Sequence, residues 1–309
     1  MVRYRLKLEG PSAGGARASG PLLRDLLDVL TEGTRRLVRL QVEGRSTARG
    51  TPPAWIAGAT AFELVGIGEG STVLEFEAPT LDEALARYLP QRALFAEIDP
   101  AATPFTLLAD AMRDVAAGNL DSDRYDAGVL DKIQGLHRVF DAGVNRIELG
   151  NRDGEQPLVI EPHTLAAVER LRSQTAPDQY VRVAGILDVI RHSDRMFALI
   201  LESGATLRGL AGEVTPEQLA RLFGRKVIVS GMAAFRPSGR VQAIEAESIQ
   251  LAEGDVSVWA PEPQPVFDDR DLTALRRPQG PRSGVAALLG TWPGDETDAE
   301  IEAFLDELS

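Results

Sequence analysis

The run YVRVAGILDVI, from Tyr180 to Ile190, opens the part of the chain with the clearest architecture. Its β-branched residues and length predict a long strand, and Gly185 marks a place for a bend or bulge. Phe197 to Glu202 and Thr206 to Leu210 follow as strands joined at Ser203-Gly204. Thr215 is placed to cap a short helix from Pro216 to Phe223, with proline in the first turn. Arg225 to Phe235 and Arg240 to Leu251 then read as two more strands around Pro237-Ser238-Gly239. Three strands, a helix and two strands is the order of an OB-fold, a small Greek-key barrel, with an SH3-like barrel as the alternative. Residues 178–253 are therefore expected to form a barrel domain.

Barrels of this kind often bind single-stranded nucleic acid on aromatic platforms in a basic groove. Phe197 and Phe235 are the candidate platforms, and Arg182, Arg191, Arg195, Arg208, Arg236 and Arg240 the candidate backbone contacts. Both rings also sit at strand positions suited to core packing. The nine acids of this segment balance its nine bases, which argues against a strongly basic groove.

Upstream, residues 1–176 predict an α+β domain. Val2, Tyr4, Leu6 and Leu8 alternate with Arg3, Arg5, Lys7 and Glu9, as in a half-buried strand. After a loop rich in Gly, Ser and Ala, Pro21 starts a helix with a stripe of Leu23, Leu26, Leu27, Leu30 and Leu37. The arginines near its end, Arg35, Arg36, Arg39, Arg45 and Arg49, are read as a solvated face, with a phosphate-binding patch as the sharper reading. Phe62 to Ile67 and Thr72 to Ala78 form a hairpin around Gly68-Glu69-Gly70, a glycine run followed by a strand and so not a phosphate loop. Leu81 to Leu89, Pro104 to Ala117, Asp126 to Phe140 and Pro162 to Ser173 read as helices. A second hairpin, Val144 to Leu149 and Leu158 to Ile160, turns at Asp153-Gly154. Helix, hairpin, helix thus occurs twice, at 21–89 and 126–173, which raises the idea of a duplication without any residue-level repeat. The acidic stretch Asp121 to Asp126 lacks the glycine and glutamate of a calcium loop and reads as solvated.

Downstream the composition changes. Pro261, Pro263, Pro265, Pro278 and Pro281 interrupt small and charged residues, predicting a flexible linker over 254–290. Net charge is −13 for the whole 309-residue chain, and residues 254–309 carry twelve acids against four bases. From Thr297 onward, Ile301, Phe304, Leu305 and Leu308 fall at i, i+3, i+4 and i+7, one face of a helix. Thr297 and Glu300 have capping-box spacing, and Asp295, Glu296 and Asp298 suit a helix N-terminus. A helix this short is marginal alone, so its face must bury on something. Each large apolar side chain would contribute about 1.5–3 kcal/mol, and Trp292 more. Residues 291–309 are therefore expected to be an acidic amphipathic partner-binding helix.

Catalysis and cofactors are addressed by elimination. The chain has no cysteine and three histidines, His137, His163 and His192, none with a second histidine at metal-ligand spacing. No nucleophile elbow, P-loop or dinucleotide fingerprint is present. The expectation is a non-enzyme without metal or cofactor. No apolar run approaches a membrane span and no signal peptide is read at Met1, so the expected location is the cytoplasm. Only Lys7, Lys132 and Lys226 are lysines, an arginine-heavy bias of the kind seen in bacterial genomes rich in G and C.

The tail WPGDETD, Trp292 to Asp298, followed by Glu300-Ile301 and a leucine pair ending at Ser309, resembles the closing motif of bacterial antitoxin-like proteins. Those proteins are encoded beside PIN-domain ribonuclease toxins, in toxin–antitoxin systems. The resemblance covers about the last twenty residues. It implies that the tail binds a PIN-domain toxin, with Trp292, Ile301, Phe304, Leu305 and Leu308 as anchors. In such complexes an arginine commonly reaches the toxin's acidic metal site, and Arg276, Arg277 and Arg282 are the candidates here. The chain departs from the family pattern in its length and in lacking a helix-turn-helix or ribbon-helix-helix signature. The leading expectation is toxin neutralisation by protein–protein interaction. The alternative is single-strand nucleic-acid binding by the barrel, with the acidic tail recruiting partners.

Overall fold

In chain order the first elements are β1 (Val2–Glu9), α1 (Gly20–Glu43), α2 (Ala54–Ala59), β2 (Glu63–Gly68), β3 (Thr72–Ala78), α3 (Leu81–Leu85), α4 (Pro104–Ala116) and α5 (Ala127–Ile133). They continue with α6 (His137–Asp141), β4 (Arg146–Asn151), β5 (Leu158–Ile160) and α7 (Pro162–Gln174). The last group is β6 (Gln179–Arg191), β7 (Met196–Ile200), β8 (Thr206–Ala211), α8 (Pro216–Leu222), β9 (Lys226–Phe235) and β10 (Val241–Leu251). The structure, a computed structural model, describes residues 1–13, 17–48, 53–68, 72–85, 99–151, 157–191, 195–212, 214–266, 297 and 299–300. The chain divides into two units, Met1–Pro265 and Val266–Ser309.

β1 is the middle strand of an antiparallel sheet of order β2-β3-β1-β4-β5, so the two hairpins expected from the sequence flank it on either side. Its alternation becomes the two faces of that sheet. Tyr4, Leu6 and Leu8 are buried, while Arg3 and Arg5 stand on the open face and meet Glu77 (2.7 Å) and Glu75 (3.5 Å) of β3. On the covered face Tyr4, Phe62, Phe76 and Phe105 form a ring cluster with centroids 4.9–5.6 Å apart, and the Tyr4 hydroxyl meets Thr103 Oγ1 at 2.7 Å. Phe76 and Phe105 are completely buried, each contributing about 1.5–3 kcal/mol by removal from water.

α1 is the long helix across this face. Ser19 accepts from the Leu22 amide at 3.3 Å at its start. Gly44 ends it with φ 76°, a left-handed turn that favours glycine. Of the predicted stripe Leu26, Leu30 and Leu37 are buried and Leu23 and Leu27 pack partly buried against the same core, while Leu22, outside the stripe, is buried as well. The single helix expected over 126–140 is broken into α5, a 3₁₀ turn at Gln134–Leu136, and α6. A Cβ on Gly135 would lie 2.9 Å from Val29 Cγ2, so α1 approaches that turn closely. α2 lies where the sequence predicted no element.

β6 to β10 form a closed barrel of order β10-β8-β7-β6-β9. β6 pairs antiparallel with β7 and β9, β9 with β10, and β7 with β8, while the parallel β8–β10 pair completes the ring. Three strands, α8, then two strands in this closed order are compatible with an OB-like barrel. The bulge on β6 falls between Leu187 and Val189 and not at Gly185. Gly185 instead permits close approach: a Cβ there would sit 2.9 Å from Ile200 O.

The segment after β10, expected to be linker from 254 on, is tied to the barrel as far as Pro265. Val256 and Ala260 are buried, a short turn at Ser257–Trp259 packs on β6, and the Val241 amide donates to Glu262 Oε1 at 3.0 Å. These contacts lie where the sequence offered only prolines and a sparse apolar content.

Candidate partner-binding surfaces

The two rings expected as nucleic-acid platforms are core residues. Phe197 is 2% exposed and Phe235 1% exposed. Phe197 stands opposite Gly209 on β8, where a Cβ would lie 2.2 Å from its ring. The glycine makes room for the ring inside the barrel. Phe235 lies with Val229, Val241 and Ile244 in the same apolar cluster. A five-stranded barrel is narrow enough for side chains to fill, so its inward aromatics are not available to stack on bases. The platform reading of both residues is thereby corrected.

The arginines divide in two groups. Arg182, opposite Ser230 on the β6–β9 pair, and Arg208, opposite Ala198 on β7–β8, are exposed. Arg195 has φ 59° and donates to Val214 O at 2.9 Å, closing a loop of its own domain. Arg236 is turned away from solvent: its guanidinium donates to Asp121 O at 3.1 Å and pairs with the Asp123 carboxylate. Of the candidate arginines Arg182, Arg208 and Arg240 are exposed, Arg240 with its guanidinium 3.9 Å from Glu262, and Arg236 is corrected to a structural tie.

That tie belongs to a polar seam between the barrel and the α+β part. Ser238 Oγ donates to Asp121 Oδ1 at 2.5 Å, and the Ser238 amide to Leu120 O at 3.2 Å. Gln242 Nε2 donates to Tyr125 O at 3.3 Å, and Arg191 to Val42 O at 2.9 Å. Arg45 bridges Glu245 at 2.7 Å. Burial, with Asp114 and Asp121 nearby, pushes the Tyr125 phenol up to about 12. Burial, then Asp126 and Glu245, raises the Asp178 carboxyl, with Arg172 opposing. The acidic stretch 121–126, read from the sequence as solvated, is thus a docking surface, and Asp126 also caps α5 through the Val129 amide at 2.8 Å. A sequence signal existed: an acid-rich loop in the α+β part and an Arg-Pro-Ser-Gly-Arg hairpin in the barrel.

The α1 arginines are also internally bonded. Arg35 meets Glu32 at 2.7 Å, Arg39 meets Glu43 at 2.7 Å, and Arg36 donates to Gly128 O. Arg49 lies outside the described residues. Mutual neutralisation weakens the phosphate-patch reading.

His163 Nδ1 lies 3.3 Å from Glu161, and the Glu161 amide donates to Thr164 Oγ1 at 3.2 Å, an arrangement that opens α7. Among the described residues no group of three or more acidic or histidine side chains could hold a metal ion. No described helix is long and apolar enough to cross a membrane.

The tail anchors Trp292, Ile301, Phe304, Leu305 and Leu308, and the arginines Arg276, Arg277 and Arg282, lie outside the described residues. The start of the predicted helix is described. The Thr297 amide donates to Glu300 Oε2 at 2.7 Å and the Thr297 hydroxyl to the same oxygen at 2.8 Å. The Glu300 amide donates back to Thr297 O at 2.9 Å. The backbone amide, then the hydroxyl, of Thr297 holds the Glu300 carboxyl below the usual carboxylate range. The Glu300 carboxylate thus makes its half of a capping box, while the Thr297 hydroxyl donates to that carboxylate instead of accepting from the Glu300 amide, and residues 301–309 lie outside the described residues.

Comparison of the chain with protein-family models, with curated proteins and with solved structures returns no match.

Proposed function

We propose that the chain is a non-catalytic, antitoxin-like binding protein whose C-terminal segment engages a PIN-domain ribonuclease. In this reading residues 1–265 are a scaffold built from the α+β part and an OB-like barrel, and the recognition element is carried after it. The observation that carries the reading is the Thr297–Glu300 cap, which starts a helix at the head of the amphipathic pattern Ile301, Phe304, Leu305, Leu308. A helix continuing from there would set that pattern on one apolar face suited to a groove on another protein. The division of the chain after Pro265 supports a tail with a role of its own. The alternative, single-strand binding by the barrel, retains Arg182, Arg208 and Arg240 but has lost its stacking rings to the core.

The test is co-expression of the full chain with the PIN-domain nuclease encoded beside it. Rescue of growth by the full chain, and no rescue by a chain ending at Pro265, is expected. Equal rescue by both would overturn the assignment of the tail, and rescue by neither would overturn the toxin-neutralising reading.

A further inference from the structure

β2 is an edge strand of the α+β sheet, and among the described residues no strand pairs with its outer side. Its sequence, Glu-Leu-Val-Gly-Ile-Gly, has no lysine or proline, so of the devices that guard sheet edges it carries one acid, Glu63, and a bulge. Three of its side chains are large, apolar and open: Leu64 is 42% exposed, Val65 47% and Ile67 49%.

The bulge in this strand changes what that edge presents. Leu64 stands opposite Phe76 and Ile67 opposite Leu74, with Val65 as the extra residue between Leu64 and Gly66. Phe76 and Leu74 are two apart on β3 and both fully buried, so both point to the helix-covered face. Leu64 and Ile67, three apart, would lie on opposite faces of a regular strand. The bulge puts both on the covered face, at the sheet margin where the layer above leaves them open.

We propose that β2 pairs antiparallel with β2 of a second copy of this chain, joining two five-stranded sheets into one. The occupant follows from register. An antiparallel two-fold between Val65 and Gly66 sets each Leu64 opposite the other copy's residue 67, so apolar side chains meet twice on the covered face. The same register sets each Glu63 opposite residue 68 of the other copy, a glycine, so no two carboxylates are apposed on the open face. Residues that face each other thus belong to the same side of the sheet, which a strand without the bulge would not achieve. Main-chain hydrogen bonds supply the attraction, and the apolar pairs fix the alignment. Six residues a side is small beside the about 1,200–2,000 Å² of a standard stable interface, so the dimer is weak and concentration-dependent.

The experiment is sedimentation analysis of the full chain from low to high micromolar concentration. A shift from monomer to dimer is expected, and it should be abolished by Leu64→Lys together with Ile67→Lys. Both side chains are half exposed, so the melting temperature should hold within a few degrees. Because the chain lacks cysteine, Val65→Cys offers a second reading that leaves the edge apolar. Under mild oxidation it should give a covalent dimer, and Tyr180→Cys on the barrel should not. A wild-type chain that stays monomeric throughout overturns the proposal, whatever else the edge then binds. So does a dimer that survives the double lysine variant, or equal cross-linking at positions 65 and 180.

Discussion

Ser238, at the tip of the β9–β10 hairpin, donates its hydroxyl to the Asp121 carboxylate at 2.5 Å across 117 residues of sequence. Beside it Arg236 serves two acceptors on the same loop, Asp121 O and the Asp123 carboxylate. This hairpin, which joins the last two strands of the barrel, is held by the chain's own acidic loop. Arg236→Ala should therefore lower unfolding stability by about 1–2 kcal/mol, since it removes a guanidinium whose side chain is 15% exposed, with its bonds to Asp121 O and to the exposed Asp123 carboxylate. Ser238→Ala should cost under about 1 kcal/mol at its more exposed position. Urea unfolding of the two variants and of the Asp123→Ala, Arg236→Ala pair checks this. The pair should show coupling, and additivity would mean the tie contributes nothing.

Phe197→Ala and Phe235→Ala should each cost about 3–5 kcal/mol, as buried aromatic truncations do. Gly209→Ala should also destabilise, because its methyl would enter the Phe197 ring space. Variants that keep the wild-type melting curve would restore these rings as surface platforms.

The Tyr125 phenol has its ordinary value near 10 raised to about 12, so the folded state favours the neutral form. The stability this contributes is fully present below pH 10. It is lost as pH rises from 10 through 12, because the unfolded phenol ionises first. Denaturation curves at pH 9 and pH 11 should differ more for the wild type than for Tyr125→Phe. An equal difference in both would show that Tyr125 ionises at its ordinary value.

Limited proteolysis should release a stable fragment ending near Pro265. The packing of Val256 and Ala260 and the Glu262–Val241 bond protect the preceding dozen residues. Early cleavage between Leu251 and Pro261, read by mass spectrometry, would contradict that packing.

Local signals carried well from sequence to structure. The alternation of β1, the Leu stripe of α1, the Thr215 cap and the strand–helix–strand order of the barrel are all short-range patterns, and all are present. Long-range relationships did not carry. Phe197 and Phe235 sit on β7 and β9, which are regular strands, but alternation alone does not say which of a strand's two faces turns inward until the barrel closes. The acids at 121 and 123 look solvated until the hairpin that meets them is folded beside them. Val256 and Ala260 are small residues scattered among prolines, too sparse to register as an apolar face. At the tail only the Thr297–Glu300 pairing is both predicted and described.

The central claim is that the tail face belongs to a partner. The most direct measurement is calorimetric titration of the full chain with a PIN-domain ribonuclease, the partner proposed for the tail, run beside a melting curve of the chain alone. Changing Phe304 and Leu305 to Asp places charge in an apolar groove and should abolish binding while leaving the melting temperature unchanged. Removing two of the acids Asp295, Glu296 and Asp298 should cost far less affinity. Undiminished binding by the Phe304 and Leu305 variant, or a melting temperature lowered by several degrees, would contradict the claim and return the helix to this chain's own core.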